Sequence, residues 1–296
     1  MVNLRYTVDL DYDVLAPGAD FILGIHAART PRQRLSDESL VISQPVSPRV
    51  HEHPLTRTRV MQLHADAGQL SIRYAATVAI AHHVESPERL SEVPIDALPA
   101  NVLTYLYPSR YCESDVLHQL GVQEFGTLPR GYGRVAAIRD WVTKRVTFRS
   151  ASSLSTTTAC DTARTRVGVC RDFAHLMIAL CRAVNIPARF ATGLDYGADP
   201  VLGPPDFHAY VEVYLSHRWY LFDPSGTAMP MGFVRIATGR DAADAAFATI
   251  FGAIRSGPPV VRIRAVAGDD GDAIVPLPSD RALSTDDGGG LAFAQA

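Results

Sequence analysis

The segment from Cys170 to Pro187 constrains the fold more than any other part of the chain. Gly168 permits a tight turn into this segment, and the run Asn185-Ile186-Pro187 ends it. Between them, apolar residues recur at the three- and four-residue intervals that form one face of an α-helix: Phe173, Leu176, Met177, Leu180, Cys181 and Val184. At about 100° per residue, Cys170 lies in the first turn, within about 60° of this apolar stripe. The sequence therefore predicts a core helix that carries a cysteine at its N-terminal end.

A β-hairpin is predicted downstream of this helix. Residues 208–215 and 218–223 have the composition of two strands, and a two-residue turn at Ser216 and His217 joins them. The length of the turn matters because a turn of three residues would move every later side chain to the opposite face of the sheet.

The register of this hairpin brings a histidine and an aspartate together. A two-residue turn pairs Leu215 with Arg218, and counting back from that pair places His208 diagonal to Asp223 on one face. Diagonal neighbours lie about 7–8 Å apart at the backbone, within reach of a hydrogen bond between an imidazole and a carboxylate.

A cysteine at the start of a helix is chemically distinctive. The free N–H groups and the helix dipole stabilise a thiolate, and Arg171 adds a positive charge. A thiolate is a nucleophile for acyl transfer, so one interpretation is a Cys–His–Asp triad in which Cys170 attacks, His208 is the base and Asp223 orients the imidazole. The alternative is structural: a small buried cysteine, a histidine at a strand end and an aspartate in a turn.

Three stretches of the sequence resemble the transglutaminase-like superfamily, in particular its bacterial members described as transglutaminase-like cysteine proteases. GVCRDFAHL (168–176) resembles the nucleophile motif, and IPARFATG (186–193) resembles the strand that follows it. DFHAYVEVYL with RWYLFDPSG (206–226) resembles the histidine and aspartate strands of the family. The resemblance covers residues 130–252.

This resemblance implies an α+β fold with a papain-like core and assigns the nucleophile, base and orienting roles to Cys170, His208 and Asp223. The superfamily includes proteases, peptide amidases, cross-linking transferases and inactive scaffolds. The leading hypothesis is a cysteine hydrolase that cleaves a peptide or side-chain amide bond through a thioester acyl-enzyme. The alternatives are acyl transfer from a protein glutamine to an amine, and a non-catalytic interaction scaffold. The residues that bind the substrate are not identified.

The rest of the chain is organised around this core. Strand-like alternation near the N-terminus predicts a small antiparallel β domain, sandwich-like, which also resembles the N-terminal module of these bacterial proteins. A proline-rich stretch indicates a linker, and residues 260–266 have the pattern of a strand that precedes a stretch rich in Gly and Asp. The predicted organisation is an N-terminal β domain (1–85), a linker (86–110), the catalytic core (111–255), and a C-terminal strand with a flexible tail (256–296).

Charge and composition narrow the classes of partner. The 28 basic and 31 acidic residues leave a net charge of only -3, so we expect a peptide or protein substrate and neither nucleic acid nor a membrane. The start MVNLRYTVDLDYDV lacks the apolar run of a signal peptide, which favours the cytoplasm. The oligomeric state is left open.

No cofactor and no metal are expected. The four cysteines are too few and too scattered for a disulfide framework. Cys160, Cys170, His175 and Cys181 could be offered as a zinc set, but their spacing matches no familiar zinc finger.

Overall fold

The computed structural model of the 296-residue chain describes residues 1–197, 206–268 and 271–286. The N-terminal half contains β1 (Val2–Val14), β2 (Ala19–His26), β3 (Gln33–Ile42), β4 (Arg49–Glu52), β5 (Arg59–Ala65), β6 (Gly68–Ile80), β7 (His83–Glu85), α1 (Ala100–Leu103), α2 (His118–Phe125) and α3 (Tyr132–Arg145). The second half contains β8 (Thr147–Phe148), α4 (Ala159–Thr165), β9 (Val167–Gly168), α5 (Cys170–Ala183), β10 (Ala188–Asp195), β11 (Phe207–Leu215), β12 (Arg218–Phe222), β13 (Phe233–Gly239), β14 (Ala248–Phe251), β15 (Ile254–Ser256), β16 (Val260–Ala265) and β17 (Ala282–Ser284). Short 3-10 helices lie at Pro87–Arg89, Ile95–Ala97, Thr104–Leu106 and Pro230–Gly232. The predicted α+β class is confirmed.

The N-terminal region forms two antiparallel sheets packed face to face. In one sheet β1 pairs with β6 along its whole length, from Val2 opposite Ile80 to Val14 opposite Gly68. Every second residue of β1 is buried, because the strand presents one face to the core and the other to solvent. The second sheet has the strand order β14-β2-β5-β4. The inner faces of the two sheets share one core, as the predicted sandwich requires.

Later parts of the chain complete this sandwich. β14 pairs with β2, while β15 and β16 pair with β1. Residues 248–256 therefore lie in the N-terminal sheets, whereas the sequence assigns nearly all of them to the catalytic core that ends at residue 255. These strands are short and partly exposed, so their local pattern carries no information about which sheet they join.

The segment predicted as a linker is packed against the hairpin. Buried side chains of this segment form one apolar cluster with two aromatic residues of the hairpin: Val93, Leu98, Val102, Tyr105, Tyr214 and Trp219. The rings of Tyr105 and Trp219 meet edge to face, with centroids 5.2 Å apart. Residues 90–106 are therefore a packed part of the fold and do not form a flexible spacer. The prolines turn the chain, and the apolar residues between them stay buried.

The second half of the chain places one helix across a four-stranded sheet. The strand order is β12-β11-β10-β13, and α5 packs against β10 and β11. Three other helices, α2, α3 and α4, also contact α5, and every residue from Asp172 to Ala183 is buried. None of the helices in the described part of the chain has the length and apolar character needed to cross a membrane.

The end of the described chain is anchored, which differs from the predicted flexible tail. β17 pairs with β7, and the Asp286 carboxylate forms ion pairs with Arg189 at 2.8 Å and Arg235 at 3.4 Å. The cationic partners lie 97 and 51 positions away in the sequence, so no local pattern could reveal them. Residues 287–296 of the predicted tail lie outside the described residues.

We expect Asp286→Asn to lower the free energy of unfolding by about 2 kcal/mol at neutral pH, the scale of a hydrogen bond to a charged group. Burial raises the pKa of Asp286, but the charges and hydrogen bonds of Arg189 and Arg235 lower it to about 2. A carboxyl with a depressed pKa in the folded state stabilises above its unfolded pKa and loses that contribution as the pH falls.

Urea unfolding of the wild type and of Asp286→Asn, each at pH 7 and at pH 3, tests this prediction. The difference in free energy of unfolding between the two proteins should be smaller at pH 3. The exposed Asp280 provides the matched control, and Asp280→Asn should leave stability unchanged at both pH values. An equal gap at both pH values would contradict the electrostatic explanation.

Candidate active site

The first turn of α5 is fixed by the residue two positions after Cys170. The buried Asp172 carboxylate accepts hydrogen bonds from the Val169 N–H at 2.8 Å and from the Ser153 hydroxyl at 2.8 Å. Gly168 makes room for this carboxylate, since a Cβ there would lie 2.7 Å from the Asp172 Cβ. Cys170 is therefore held at the start of the helix, and its side chain is partly exposed.

The predicted two-residue turn of the hairpin is confirmed. Leu215 pairs with Arg218, and both turn residues have positive φ, 44° at Ser216 and 62° at His217. Positive φ at both central positions is the geometry that matches the twist of a β-hairpin. The register continues to Val211 opposite Phe222, so Asp223 leaves the hairpin on the face that carries His208.

His208 and Asp223 are both buried and lie within hydrogen-bonding distance of each other. The His208 Nε2 is 3.4 Å from the Asp223 Oδ1. The turn after β12 holds this carboxylate through the Ser225 N–H and hydroxyl, at 3.0 and 2.6 Å, and through the N–H groups of Thr227 and Ala228, at 3.1 and 3.0 Å. Asp223 thus has a fixed orientation that does not depend on His208.

The Cys170 thiol lies at the start of α5, close enough to His208 to influence the pKa of its imidazole. Burial lowers the pKa of His208, but the charge and hydrogen bond of Asp223, followed by those of Cys170, raise it well above its ordinary value. Burial likewise raises the pKa of Asp223, while the His208 charge and the surrounding donors bring it below its ordinary value. The structure therefore brings His208 and Asp223 within hydrogen-bonding distance, as the register of the hairpin predicts, and places Cys170 near them.

A second carboxylate, Asp195, also contacts the imidazole. Gly193 on β10 lies directly opposite His208 on β11, so Asp195, two positions further, lies on the same face. Its Oδ2 is 3.5 Å from the His208 Nδ1. Asp195 is not among the residues singled out by the sequence, because eleven residues, 196–206, separate β10 from β11, and a connection of that length does not set a register.

Comparison with known proteins places this arrangement in a family. The family model described as the transglutaminase-like superfamily matches residues 122–224, and the model described as the bacterial transglutaminase N-terminal domain matches residues 2–101. A candidate cysteine protease of Cytophaga hutchinsonii has a similar solved structure, with a TM-score of 0.88 and 39% identity over 96% of this chain and 97% of its own. The chain belongs to the transglutaminase-like superfamily.

Other relatives of this transglutaminase-like protein match only in part. An uncharacterized protein of Mycobacterium leprae is 28% identical over 117 residues, and one of Mycobacterium bovis is 30% identical over 109 residues. These matches cover 38% and 33% of this chain. The matched part of this chain spans 41% of the length of the first relative and 35% of the length of the second, which is about two fifths and about one third.

The other cysteines of the transglutaminase-like chain lie in different environments. Burial raises the pKa of Cys112 to about 12, and burial together with the charge of Glu113 raises that of Cys160 to about 11. Burial also raises the pKa of Cys181. These three side chains therefore remain thiols at neutral pH, which makes them poor nucleophiles.

The suggested zinc set is not brought together in the described part of the chain, where no cluster of three or more His, Cys, Asp or Glu residues has the arrangement of a metal site. His175 is fully buried, and its ring stacks on Tyr111 with centroids 5.0 Å apart. Its Nε2 accepts a hydrogen bond from the Ala242 N–H at 3.1 Å. His175 thus connects α5 to the chain after β13.

Proposed function

We propose that this transglutaminase-like protein is a cysteine hydrolase that cleaves a peptide or side-chain amide bond through a thioester acyl-enzyme. The observation that carries the proposal is the buried imidazole of His208, which lies 3.4 Å from the Asp223 carboxylate and near enough to the Cys170 thiol for that thiol to raise its pKa. A thiol beside a base that a third group orients is the arrangement that activates a nucleophile for acyl transfer.

The reaction follows from these positions. The Cys170 sulfur attacks the amide carbon, and the tetrahedral oxyanion forms near the N-terminus of α5, where backbone N–H groups have no acceptor within the helix. The imidazolium of His208 donates its proton to the nitrogen as the C–N bond breaks, which releases the amine and leaves the thioester. Water then attacks the thioester carbon and gives its proton to His208, and the carboxylic acid leaves as Cys170 is regenerated.

Two considerations favour water over an amine as the second reactant. The similar solved structure is described as that of a candidate cysteine protease. Water is also in molar excess over any amine in an open cleft, so hydrolysis is the expected outcome unless the site excludes water. Acyl transfer to an amine uses the same thioester and is therefore the direct competitor.

The products of the reaction distinguish the two outcomes. A peptide library that contains glutamine and asparagine side chains is incubated with the protein, with and without a millimolar alkylamine, and is analysed by mass spectrometry. We expect cleaved peptides or free side-chain acids in both arms, because water resolves the thioester.

Cys170→Ala serves as the blank in this experiment. Amine adducts as the main product would make the protein a transferase. A library that the wild type leaves unchanged would instead favour a non-catalytic scaffold.

A further inference from the structure

His208 lies on the second strand of its sheet between two buried carboxylates. Asp223, after β12, approaches the ring at Nε2, and Asp195, on β10, approaches it at Nδ1. Asp195 and Asp223 are only 5% and 7% exposed, so solvent screens neither contact strongly. The proposed triad uses one of these carboxylates and leaves the other without a role.

We propose that Asp195 is a positioning residue that acts on His208 from the side opposite Asp223 and holds the imidazole in its doubly protonated form beside Cys170. This inference rests on the proposed function of the Cys170–His208 pair and assigns to that pair a second carboxylate.

The protonation of the ring follows from counting donors. A neutral imidazole has one N–H and one acceptor nitrogen, so it can donate to only one of two flanking carboxylates and presents a lone pair to the other. An imidazolium has two N–H groups and can donate to both sides. With carboxylate oxygens 3.4 and 3.5 Å from the two ring nitrogens, the protonated ring is the form that fits.

The two carboxylates differ in how they are held. Asp223 accepts four hydrogen bonds from the turn that follows it. Asp195 has His208 as its charged partner, and its buried Oδ1 has no hydrogen-bond partner among the described residues. Because Asp195 depends on His208 for compensation of its charge, the carboxylate form of Asp195 and the imidazolium form of His208 stabilise each other.

The electrostatic surroundings of the pair support this reading. The titratable groups that face His208 are Cys170 from α5, Asp195 from β10 and Asp223 after β12, and β13 contributes the apolar ring of Phe233. The pKa of Asp195 is raised overall, chiefly by burial and further by the charges of Asp223 and Asp206, while the charge of His208 lowers it, so the carboxylate form of Asp195 depends on the imidazolium.

The variant Asp195→Asn tests the proposal through the pH dependence of alkylation. Iodoacetate is an anion that reacts fastest with a thiolate beside an imidazolium, so its rate at Cys170 falls as His208 loses its proton. This fall forms the upper limb, the high-pH side, of the plot of alkylation rate against pH. We expect the upper limb to move to lower pH by about one unit in Asp195→Asn, since loss of an opposite charge at this distance lowers the pKa of the imidazolium by about 1–3. The readout needs no turnover, so it distinguishes failure of this inference from failure of the proposed hydrolase.

Asp206→Asn is the matched control, because this exposed carboxyl lies near Asp195 but forms no contact with the ring. Its upper limb should stay at the wild-type position. An unchanged upper limb in folded Asp195→Asn, or a shift to higher pH, would overturn the proposal.

A measurement on the wild type covers the case in which Asp195→Asn does not fold. Nitrogen-15 NMR of the ring of His208, assigned by its absence in His208→Ala, should show both ring nitrogens protonated at pH 7. A ring with a single protonated nitrogen at that pH would overturn the proposal as well.

Discussion

Cys170→Ala is expected to lower the turnover of any confirmed amide substrate by about 10⁴-fold or more while the fold stays intact. The substitution removes the sulfur that is proposed to form the thioester, and Cys170 is the cysteine that influences the pKa of His208. Cys170 is partly exposed at the start of α5, so loss of its side chain leaves no large cavity in the core. Steady-state rates together with thermal unfolding curves of both proteins measure the effect.

The chain offers a matched control for this variant. Cys160 is also a free, partly exposed cysteine in the first turn of a helix, α4, but it lies beside Glu113 rather than beside a histidine. Cys160→Ala should therefore keep the wild-type rate. Substantial turnover by Cys170→Ala, or an equal loss in both variants, would show that Cys170 is not the nucleophile.

The parts of the site that the sequence predicts are those encoded over short distances. The stripe from Phe173 to Val184 identifies a buried helix, because a period of 3.6 residues is a local property. The two-residue turn at Ser216 and His217 fixes the register of the hairpin, and the register alone brings His208 and Asp223 to one face.

The parts that the sequence does not predict depend on contacts between distant segments. Asp195 meets His208 only through the pairing of β10 with β11, which residues 196–206 do not specify. The C-terminal segment has the composition of a flexible tail. The end of its described part is nevertheless fixed, because arginines of β10 and β13 form ion pairs with Asp286. The strands β14 and β15 pair with β2 and β1 in the N-terminal sheets. The sequence of a short edge strand does not indicate which strand it will pair with.

His208→Ala is expected to lower turnover by about 10⁴-fold, close to the effect of Cys170→Ala, because the base and the proton donor to the leaving amine are the same ring. The substitution also leaves Asp195 and Asp223 without their shared cation, so thermal unfolding must be measured alongside the rates. His217→Ala is the control, since this exposed residue lies in the turn of the same hairpin and should keep full activity. Near-normal turnover by folded His208→Ala would end the triad hypothesis.

Asp223→Asn should lose less than His208→Ala, about 10²-fold to 10⁴-fold, because the nucleophile and the base both survive. The asparagine oxygen can still accept hydrogen bonds from the turn, but its NH₂ group faces N–H donors that the carboxylate satisfied, at Thr227 and Ala228 or at Ser225. The imidazole then loses the charge that most strongly supports its protonated form, while Asp195 still contacts the ring from the other side. A loss as large as that of His208→Ala, in a variant that unfolds at the wild-type temperature, would mean that Asp223 does more than orient the ring. The ranking of the two variants therefore separates the transfer of the proton from the orientation of the group that transfers it.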